Sequence, residues 1–247
     1  MLSIIIPTLN EGKYLPLLLE QIKKQNFDDL EIIVADADSE DKTVEIAKNF
    51  GCKITKGGLP AKGRNEGAKI AKGDIFLFMD ADNIFLPENF LERLLVEFKK
   101  RNLGVASFPI YLTGKKIDPV RNNISNVVDK IVYGFYNNFV NFTQIPLATN
   151  SVLVKRAVFE KVGGFDEEIK IAEDQWFALR AAKYGKYGFI KTEPVLTSSR
   201  RFEREGRLKT YLKYFLAGIY IFFFGPVKKD IFKYEWYNKL TKKEGPR

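Results

Sequence analysis

The sequence predicts an α/β fold built on a mainly parallel sheet, with a helical C-terminal tail. Strand-like runs alternate with helical patterns through the first half of the 247 residues, which is typical of parallel sheets. The apolar runs SIII, EIIVA and IFLFM are continuous, as in central strands that are covered on both faces. A hydrophobic content of 45% and a charged content of 29% exclude a disordered chain.

In the first half of the chain, the predicted strands and helices alternate. LSIIIPT is a predicted strand, and it precedes a helix from about Lys13 to Gln25 in which Ile22 shares an apolar face with three leucines. LEIIVAD is the second strand, and the helix DKTVEIAKNF after it is closed by Gly51. The strand CKITK precedes the helix KGRNEGAKIAKG. DIFLFMD precedes LPENFLERLLVEFKKR, where Pro87 suits a first helical turn.

The second half is less regular. VASFPIYLTG is a predicted strand, and residues 119–139 form a predicted helix. TNSVLVKRAVFEKVGGFDE predicts a strand, a helix and a glycine turn, and EDQWFALRAAKYG predicts another helix. We therefore expect one mixed domain over residues 1–200, followed by a helical tail over residues 201–247.

Polar side chains follow the three continuous apolar strands, at residues 7–11, 36–41 and 80–83. Ligands of parallel sheets bind beyond the carboxyl ends of the strands, so we expect these segments to meet in one crevice. Asp80 and Asp82 are two residues apart, and in an extended backbone both can face one divalent cation that keeps them ionised. The alternative is a capping turn closed by Asp82 or Asn83.

The rare residue types exclude several kinds of site. The chain has no His and one Cys, which excludes an internal disulfide framework, the usual zinc sites and nucleophilic catalysis by Ser-His-Asp or Cys-His. A bound metal must therefore have oxygen ligands, which favours Mg²⁺ or Mn²⁺. Acid and base catalysis must be carried out by carboxylates.

Five motifs occur in a fixed order: SIIIPTLNE, VADADSEDKT, KGRNEGAKIAKGDIFLFMDAD, GGFDE and AEDQW. This set resembles the nucleotide-sugar glycosyltransferases of family 2, which have the GT-A fold, and the similarity covers about residues 2–190. It implies a Rossmann-like three-layer GT-A domain over residues 1–200. The nucleotide-binding half would be about 1–102 and the acceptor half about 103–200.

The resemblance also implies roles for individual residues. Asp36 matches the carboxylate that contacts uracil, and Arg64 falls where the family has a basic residue near the nucleotide. Asp80 and Asp82 match the Asp-X-Asp motif, which holds the ribose and a diphosphate-bound divalent metal, Mn²⁺ or Mg²⁺. The nucleotide-sugar-binding residues that it implies are Pro7, Thr8, Asn10, Glu11, Asp36, Asp38, Lys62, Arg64, Asp80 and Ala81.

Single displacement needs a carboxylate opposite the leaving group to deprotonate the attacking hydroxyl. Glu173 and Asp174 are the candidates, and the family pattern places the base on Asp174. Acidic residues in a first helical turn are also favoured by the helix dipole without any chemistry, and this dipole is expected to keep Asp174 ionised. The residues expected on the acceptor side or in a diphosphate clamp are Asn150, Gly164, Phe165, Trp176, Arg200, Arg201 and Arg204.

The chain departs from the family pattern in two places. Ala37 and Lys42 stand where glycine is more usual, so the geometry of that loop is expected to differ. The Gln-X-X-Arg-Trp signature of processive members is absent, which favours a nonprocessive enzyme that adds one sugar. Trp176 is equally compatible with stacking on a sugar ring and with a place in the core.

The tail is both basic and apolar. From Arg200 to the end it has 13 Lys and Arg against 5 Asp and Glu, and it contains the run YFLAGIYIFFFGPV at residues 214–227. This run is too apolar for a nucleic-acid arm and shorter than the ~20 residues of a spanning helix, so it favours an anionic membrane surface. Packing in the protein's own core and a homodimer through the tail are the alternatives.

We therefore expect an inverting enzyme that transfers one sugar from a UDP- or GDP-sugar to a hydroxyl of a glycan or lipid-linked acceptor. Because the N-terminal segment MLSIIIPTLNE lacks a secretory n-region, we expect a cytoplasmic location, peripheral on the inner face of the cell membrane. One alternative is a sugar-phosphate nucleotidyltransferase, but PTLNEGKY lacks the glycine-rich arginine loop of that class. The other is a noncatalytic membrane-associated protein that binds nucleotide sugars or acts as a scaffold.

Overall fold

The computed structural model describes residues 1–113, 127–148, 150–169 and 171–228. Within these ranges the strands are β1 Leu2–Thr8, β2 Leu30–Asp36, β3 Lys53–Lys56, β4 Ile75–Met79, β5 Asn83–Phe85, β6 Val105–Ser107, β7 Ile110–Leu112, β8 Ser151–Lys155, β9 Tyr187–Phe189 and β10 Val195–Thr197. The helices are α1 Leu15–Lys23, α2 Thr43–Asn49, α3 Pro60–Ile70, α4 Phe90–Lys100, α5 Val127–Thr143, α6 Arg156–Val162, α7 Glu173–Ala181, α8 Arg200–Glu205 and α9 Arg207–Phe224.

The central sheet has seven strands in the order β3-β2-β1-β4-β8-β6-β9. Every neighbouring pair is parallel except those of β8, which runs antiparallel to both β4 and β6. The prediction of a mainly parallel sheet is confirmed. The register pairs Leu2 with both Leu30 and Ile75, so the carboxyl ends of β1, β2 and β4 lie together at one edge.

Helices cover both faces of this sheet, which gives three layers. Side chains alternate across each strand, so Ile4 and Leu77 pack with α1 and α4 on one face, while Ile5 and Phe76 pack with α3, α6 and α7 on the other. The second face holds an aromatic cluster in which the Phe165 and Phe177 rings stack at 4.1 Å. This packing fixes α3 and α7, two of the helices that supply charged residues to the site.

A smaller sheet of three strands, in the order β5-β10-β7, lies beside the first. The segment VASFPIYLTG was expected to be one strand, and that prediction is wrong because β6 and β7 belong to different sheets. Pro109 stands between them and has no N–H to continue a ladder, while its carbonyl accepts a hydrogen bond from the Val195 N–H at 3.0 Å. The small sheet joins segments that are far apart in sequence.

The two longest helices are α5 and α9. The helix predicted over residues 119–139 is α5, which extends to Thr143, and residues 119–126 lie outside the described residues. The apolar run of the tail is part of α9, which buries Thr210, Ala217 and Ile221 on one side only. No helix in the described ranges is long and apolar enough to cross a membrane, and residues 229–247 of the predicted tail lie outside those ranges.

Candidate active site

Side-chain hydrogen bonds connect the end of β1 to the loop after β2. Thr8 Oγ1 donates to Asp36 Oδ2 at 2.8 Å, and the Ser39 N–H donates to Asp36 Oδ1 at the same distance. Asn10 has a positive φ of 54°, and its side-chain oxygen accepts a hydrogen bond from the Glu40 N–H. Asn tolerates this conformation better than most residues, so the sequence supports the turn that the loop needs.

The backbone turns at Asp80 to Asn83, where the Asn83 N–H donates to the Asp80 carbonyl at 3.2 Å. The extended backbone expected for this segment is therefore wrong, and the turn alternative is correct. Even so, Asp80 and Asp82 both line a cavity of about 170 Å³ and a smaller adjoining one of about 40 Å³. The turn directs both carboxylates into the same space, as the metal-site hypothesis requires.

Arg64 on α3 forms ion pairs with two of the acidic side chains of the larger cavity. It is 2% exposed, and its Nη2 lies 2.7 Å from Asp80 Oδ1 while its Nη1 lies 2.5 Å from Glu173 Oε1. The guanidinium also lies over the Phe165 ring, 5.3 Å from its centroid. Burial within the cavity raises the pKa of Asp80 to about 6 even though the charge of Arg64 opposes this shift.

Asp174 lies in the first turn of α7, next to Glu173. Its Oδ2 accepts a hydrogen bond from the Asn150 N–H at 2.5 Å, and its Oδ1 accepts one from the Gln175 N–H at 2.7 Å. Burial raises the pKa of Asp174 to about 7, Glu173 adds to the shift and Arg64 opposes it. The helix dipole was expected to keep Asp174 ionised, but desolvation outweighs the dipole in setting its pKa. A pKa near neutrality suits a general base.

Two arginines of α8 complete the charged lining. Arg200 donates to both carboxylate oxygens of Glu11, and its Nε lies 3.2 Å from Asp82 Oδ2. Arg201 donates from Nη1 to the Tyr214 hydroxyl of α9. Burial raises the pKa of Glu11 to about 7, although Arg200 lowers it. The region after the last strand therefore reaches the crevice, as the diphosphate-clamp hypothesis requires.

The acidic and basic side chains of the two cavities are unequal in number. The ionisable side chains that line them are five carboxyl groups and three guanidinium groups, so acidic groups outnumber basic ones by two: Glu11, Asp80, Asp82, Glu173, Asp174, Arg64, Arg200 and Arg201. Among the described residues, no three His, Cys, Asp or Glu side chains form a complete metal cluster. A pair of carboxylates still fits Mg²⁺ or Mn²⁺, which complete their shell with water and substrate phosphates.

The other predicted residues fall into three groups. Pro7 and Ala81 line the smaller cavity, and Asn150 lines the larger one. Gly164 and Phe165 lie behind the lining, where Asn65 exchanges hydrogen bonds with Phe165. Away from both linings, Lys62, Asp38 and Arg204 are exposed, and Trp176 packs with the cluster that includes Ala217 of α9.

Most of the larger cavity's wall is formed by residues that no sequence pattern predicted. The further residues that line it are Ile110, Leu112, Tyr133, Ala148, Ile171, Ala172, Gln175, Thr197, Ser198, Phe202 and Tyr214. They come from the small sheet, α5, α8, α9 and the start of α7. No local sequence motif identifies these residues. Only Tyr133 and Tyr214, polar rings within apolar helical stretches, could have been recognised from the sequence.

Comparisons with known proteins identify the family of the chain. The model of the Glycosyl transferase family 2 matches residues 3–163. The chain is 28% identical over 206 residues to an uncharacterized glycosyltransferase of Haemophilus influenzae, covering 80% of this chain and 67% of that one. It is 28% identical over 201 residues to poly(ribitol-phosphate) beta-N-acetylglucosaminyltransferase TarS of Staphylococcus aureus, covering 72% of this chain and 32% of TarS.

Solved structures show the same fold. TarS 1–349 in complex with UDP-GlcNAc superposes with a TM-score of 0.61 at 22% identity, covering 80% of this chain and 58% of that one. The mannosyltransferase PcManGT of Pyrobaculum calidifontis, in complex with GDP-Man and Mn²⁺, superposes with a TM-score of 0.62 at 20% identity, covering 87% and 64%. The chain belongs to glycosyltransferase family 2 and has the GT-A fold.

Proposed function

We propose that the chain transfers a single sugar, with inversion, from a UDP- or GDP-sugar to an acceptor hydroxyl. The observation that carries this proposal is that Asp80, Asp82 and Asp174 line one cavity. Asp80 and Asp82 suit the donor's diphosphate through a divalent ion, and Asp174 suits the acceptor's hydroxyl. Arg64 bridges the two sides through Asp80 and Glu173, which fixes their separation.

On the donor side, Asp80 and Asp82 would hold Mn²⁺ or Mg²⁺. When bound, such an ion stabilises the negative charge of the departing diphosphate as a Lewis acid. Arg201 lines both cavities and Arg200 the smaller one, where their guanidinium groups suit diphosphate oxygens. The family resemblance assigns the loop at Asp36 to the nucleotide base, and the hydrogen bonds of Asp36 with Thr8 and Ser39 hold that loop in one conformation.

On the acceptor side, Asp174 is the proposed general base. Its Oδ2 and Oδ1 each accept a backbone hydrogen bond, from Asn150 and Gln175, so the carboxylate is oriented before the acceptor binds. A base with a pKa near 7 takes the hydroxyl proton as the oxygen attacks the sugar carbon opposite the departing diphosphate. This single displacement inverts the configuration of the sugar.

The acceptor is proposed to be amphipathic or lipid-linked, at the cytoplasmic membrane face. Apolar and aromatic side chains make up much of the cavity wall beyond the carboxylates: Ile110, Leu112, Tyr133, Ile171, Phe202 and Tyr214. The basic tail and the exposed apolar residues of α9 support peripheral binding to anionic lipid. The relatives are named for the transfer of different sugars. The proposal for the donor therefore names only the nucleotide class, UDP or GDP, and not the sugar.

Calorimetry with UDP and GDP, with and without Mn²⁺, tests the donor side, and mass spectrometry of reactions with a panel of donors tests transfer. We expect tight binding of one nucleotide only when the metal is present. Asp82→Asn should weaken this metal-dependent binding by at least about tenfold, whereas the exposed control Asp28→Asn should leave it unchanged. Equal affinity with and without Mn²⁺ would argue against the metal assignment.

A further inference from the structure

Helix α5 has its apolar side outward. Asp129, Asn137 and Val140 face inward, and two of these three buried residues are polar. The exposed stripe follows the helical repeat of three and four residues and consists of Val128, Ile131, Phe135, Phe139 and Phe142. Phe142 is 89% exposed. A helix that packed only against its own protein would show the opposite arrangement.

Helix α9 shows the same arrangement. Its buried side has Thr210, Ala217 and Ile221, and its exposed stripe consists of Leu208, Leu212, Phe215, Ile219 and Phe222. Of the 20 large hydrophobic side chains that are exposed in the described ranges, 16 belong to α5 and α9. This concentration on two helices differs from the scatter of single apolar residues that ordinary surfaces show.

The two helices are tied to each other and to the cavity. The fully buried Asp129 of α5 accepts hydrogen bonds from the Tyr211 hydroxyl at 2.6 Å and from Arg207 Nε at 3.2 Å, both from α9. Tyr133 of α5 and Tyr214 of α9 line the larger cavity. Each exposed stripe lies on the side of its helix opposite these lining residues, so it faces away from the cavity.

We propose that α5 and α9 together form one docking surface for an anionic lipid bilayer, with α5 as its second apolar helix. The inference rests on the proposed function, since that function places the acceptor at a membrane surface. It adds α5 to the membrane-binding surface that was proposed for the tail. Neither composition nor a sequence motif indicated that α5 binds a membrane.

The positive charge near α5 and α9 favours an anionic bilayer over a second copy of the chain as the partner of this surface. Lys130 on α5 and Lys209 on α9 are exposed, and the sequence from Arg200 onward has a net charge of +8. Two copies meeting through this surface would bring like charges together, whereas anionic headgroups attract each exposed Lys or Arg. Phenylalanine and leucine side chains inserting at the headgroup boundary, flanked by lysines, are typical of interfacial helices.

Sedimentation of the full chain with vesicles tests the proposal. One set of vesicles is phosphatidylcholine alone, and the other contains about 30% phosphatidylglycerol, at low and high salt. The α5 variant Phe135→Ser/Phe142→Ser and the α9 variant Phe215→Ser/Phe222→Ser are compared with the control Val96→Ser, an exposed position on α4. All five substituted residues are exposed, so circular dichroism should show unchanged folding.

We expect binding only to the anionic vesicles, at least about tenfold weaker in both the α5 and α9 variants, and unchanged in the control. Three results would overturn the proposal: no vesicle binding by the full chain, normal binding by the α5 variant, or a dimer in light scattering that the α5 variant abolishes. Nucleotide binding is measured without vesicles on the same samples. A failure there, with vesicle binding intact, would refute the proposed function and leave the docking surface standing.

Discussion

The backbone N–H of Asn150 donates to Oδ2 of Asp174 over 2.5 Å, although the two residues belong to different elements of the fold. Asn150 has a φ of 44°, a left-handed conformation that Asn adopts more readily than most residues. It directly precedes β8, the antiparallel strand inserted between β4 and β6. The central sheet thus sets the position of the proposed base, through a residue whose side chain also donates to Thr197 of the small sheet.

The first prediction concerns catalysis by Asp174. Asp174→Asn keeps the size of the side chain and one acceptor oxygen but cannot take a proton. We expect transfer to fall by about 10²- to 10⁴-fold, while the affinity for nucleoside diphosphate changes less than about twofold. Transfer is measured by mass spectrometry and binding by calorimetry. Asp74→Asn, at a site with an 88% exposed side chain, is the control, and near-normal transfer by Asp174→Asn would refute the assignment.

The second prediction is a pH dependence of stability at the same residue. The pKa of Asp174 is raised from 3.8 to about 7 in the folded state, so the folded chain binds the extra proton and stability falls as the pH rises from about 4 to about 7. Asn does not titrate. The free energy of unfolding of Asp174→Asn, relative to the parent chain, should therefore increase between pH 5 and pH 8.

Urea unfolding at the two pH values measures this difference, and the comparison with the parent chain cancels the contribution of Glu11, whose pKa is also raised. A relative stability that stays constant with pH, at unchanged urea slope, would show that Asp174 is ionised throughout. The same titration should appear in catalysis, where transfer by the parent chain rises with pH through about 7 because the base must lose its proton first.

The third prediction concerns the buried cation. Arg64→Met leaves Asp80 and Glu173 without the guanidinium that now lies within 2.7 Å of each. Breaking a buried ion pair typically costs about 3–5 kcal/mol, and we expect the lower end because the Asp80 side chain is 34% exposed. Urea unfolding measures the loss. Arg93→Met, which removes an exposed pair with Glu193, should cost under about 1 kcal/mol.

Adding Glu173→Gln to Arg64→Met should recover part of that loss, because one of the two uncompensated carboxylates is then neutral. If the double variant is no more stable than Arg64→Met, the loss comes from packing against Phe165 and not from charge. The comparison therefore separates the electrostatic from the steric role of Arg64.

The sequence predicted the polar residues at the ends of the parallel strands far better than the rest of the cavity wall. Asp36, Asp80 and Asp82 follow continuous apolar strands, and one local rule, that parallel strands end at a common edge, brings them together. Tyr133 and Tyr214 line the cavity from α5 and α9, and another part of its wall comes from the small sheet, which joins β5, β7 and β10. That pairing depends on tertiary contacts that no window of sequence contains.

The same distinction explains the errors at single residues. The helix-dipole rule is local and predicted an ionised Asp174, whereas desolvation by the surrounding cavity decides its pKa. Helix α5 was predicted from periodicity, but periodicity does not say which face is buried. Asp129 within an apolar helix was the available signal, and it becomes interpretable only when Arg207 and Tyr211 are seen beside it.

The last prediction concerns the glycine by which α3, the helix of Arg64, approaches the sheet. A Cβ on Gly67 would lie 2.4 Å from Cγ2 of Ile5, a fully buried residue of β1 that cannot move aside. Gly67→Ala should therefore cost about 1–3 kcal/mol despite the better helix propensity of alanine. Gly134→Ala is the matched control in α5, where the added methyl would contact only the Tyr111 hydroxyl at 3.5 Å.

That control should gain up to about 1 kcal/mol from helix propensity alone. Urea unfolding of both variants measures the two changes with opposite expected signs. Because Gly67 lies one turn from Arg64, the strained variant should also bind nucleoside diphosphate more weakly, whereas Gly134→Ala should not. Equal stability of the two variants would mean that α3 can withdraw from β1 without loss, and the close approach would then not be what positions Arg64.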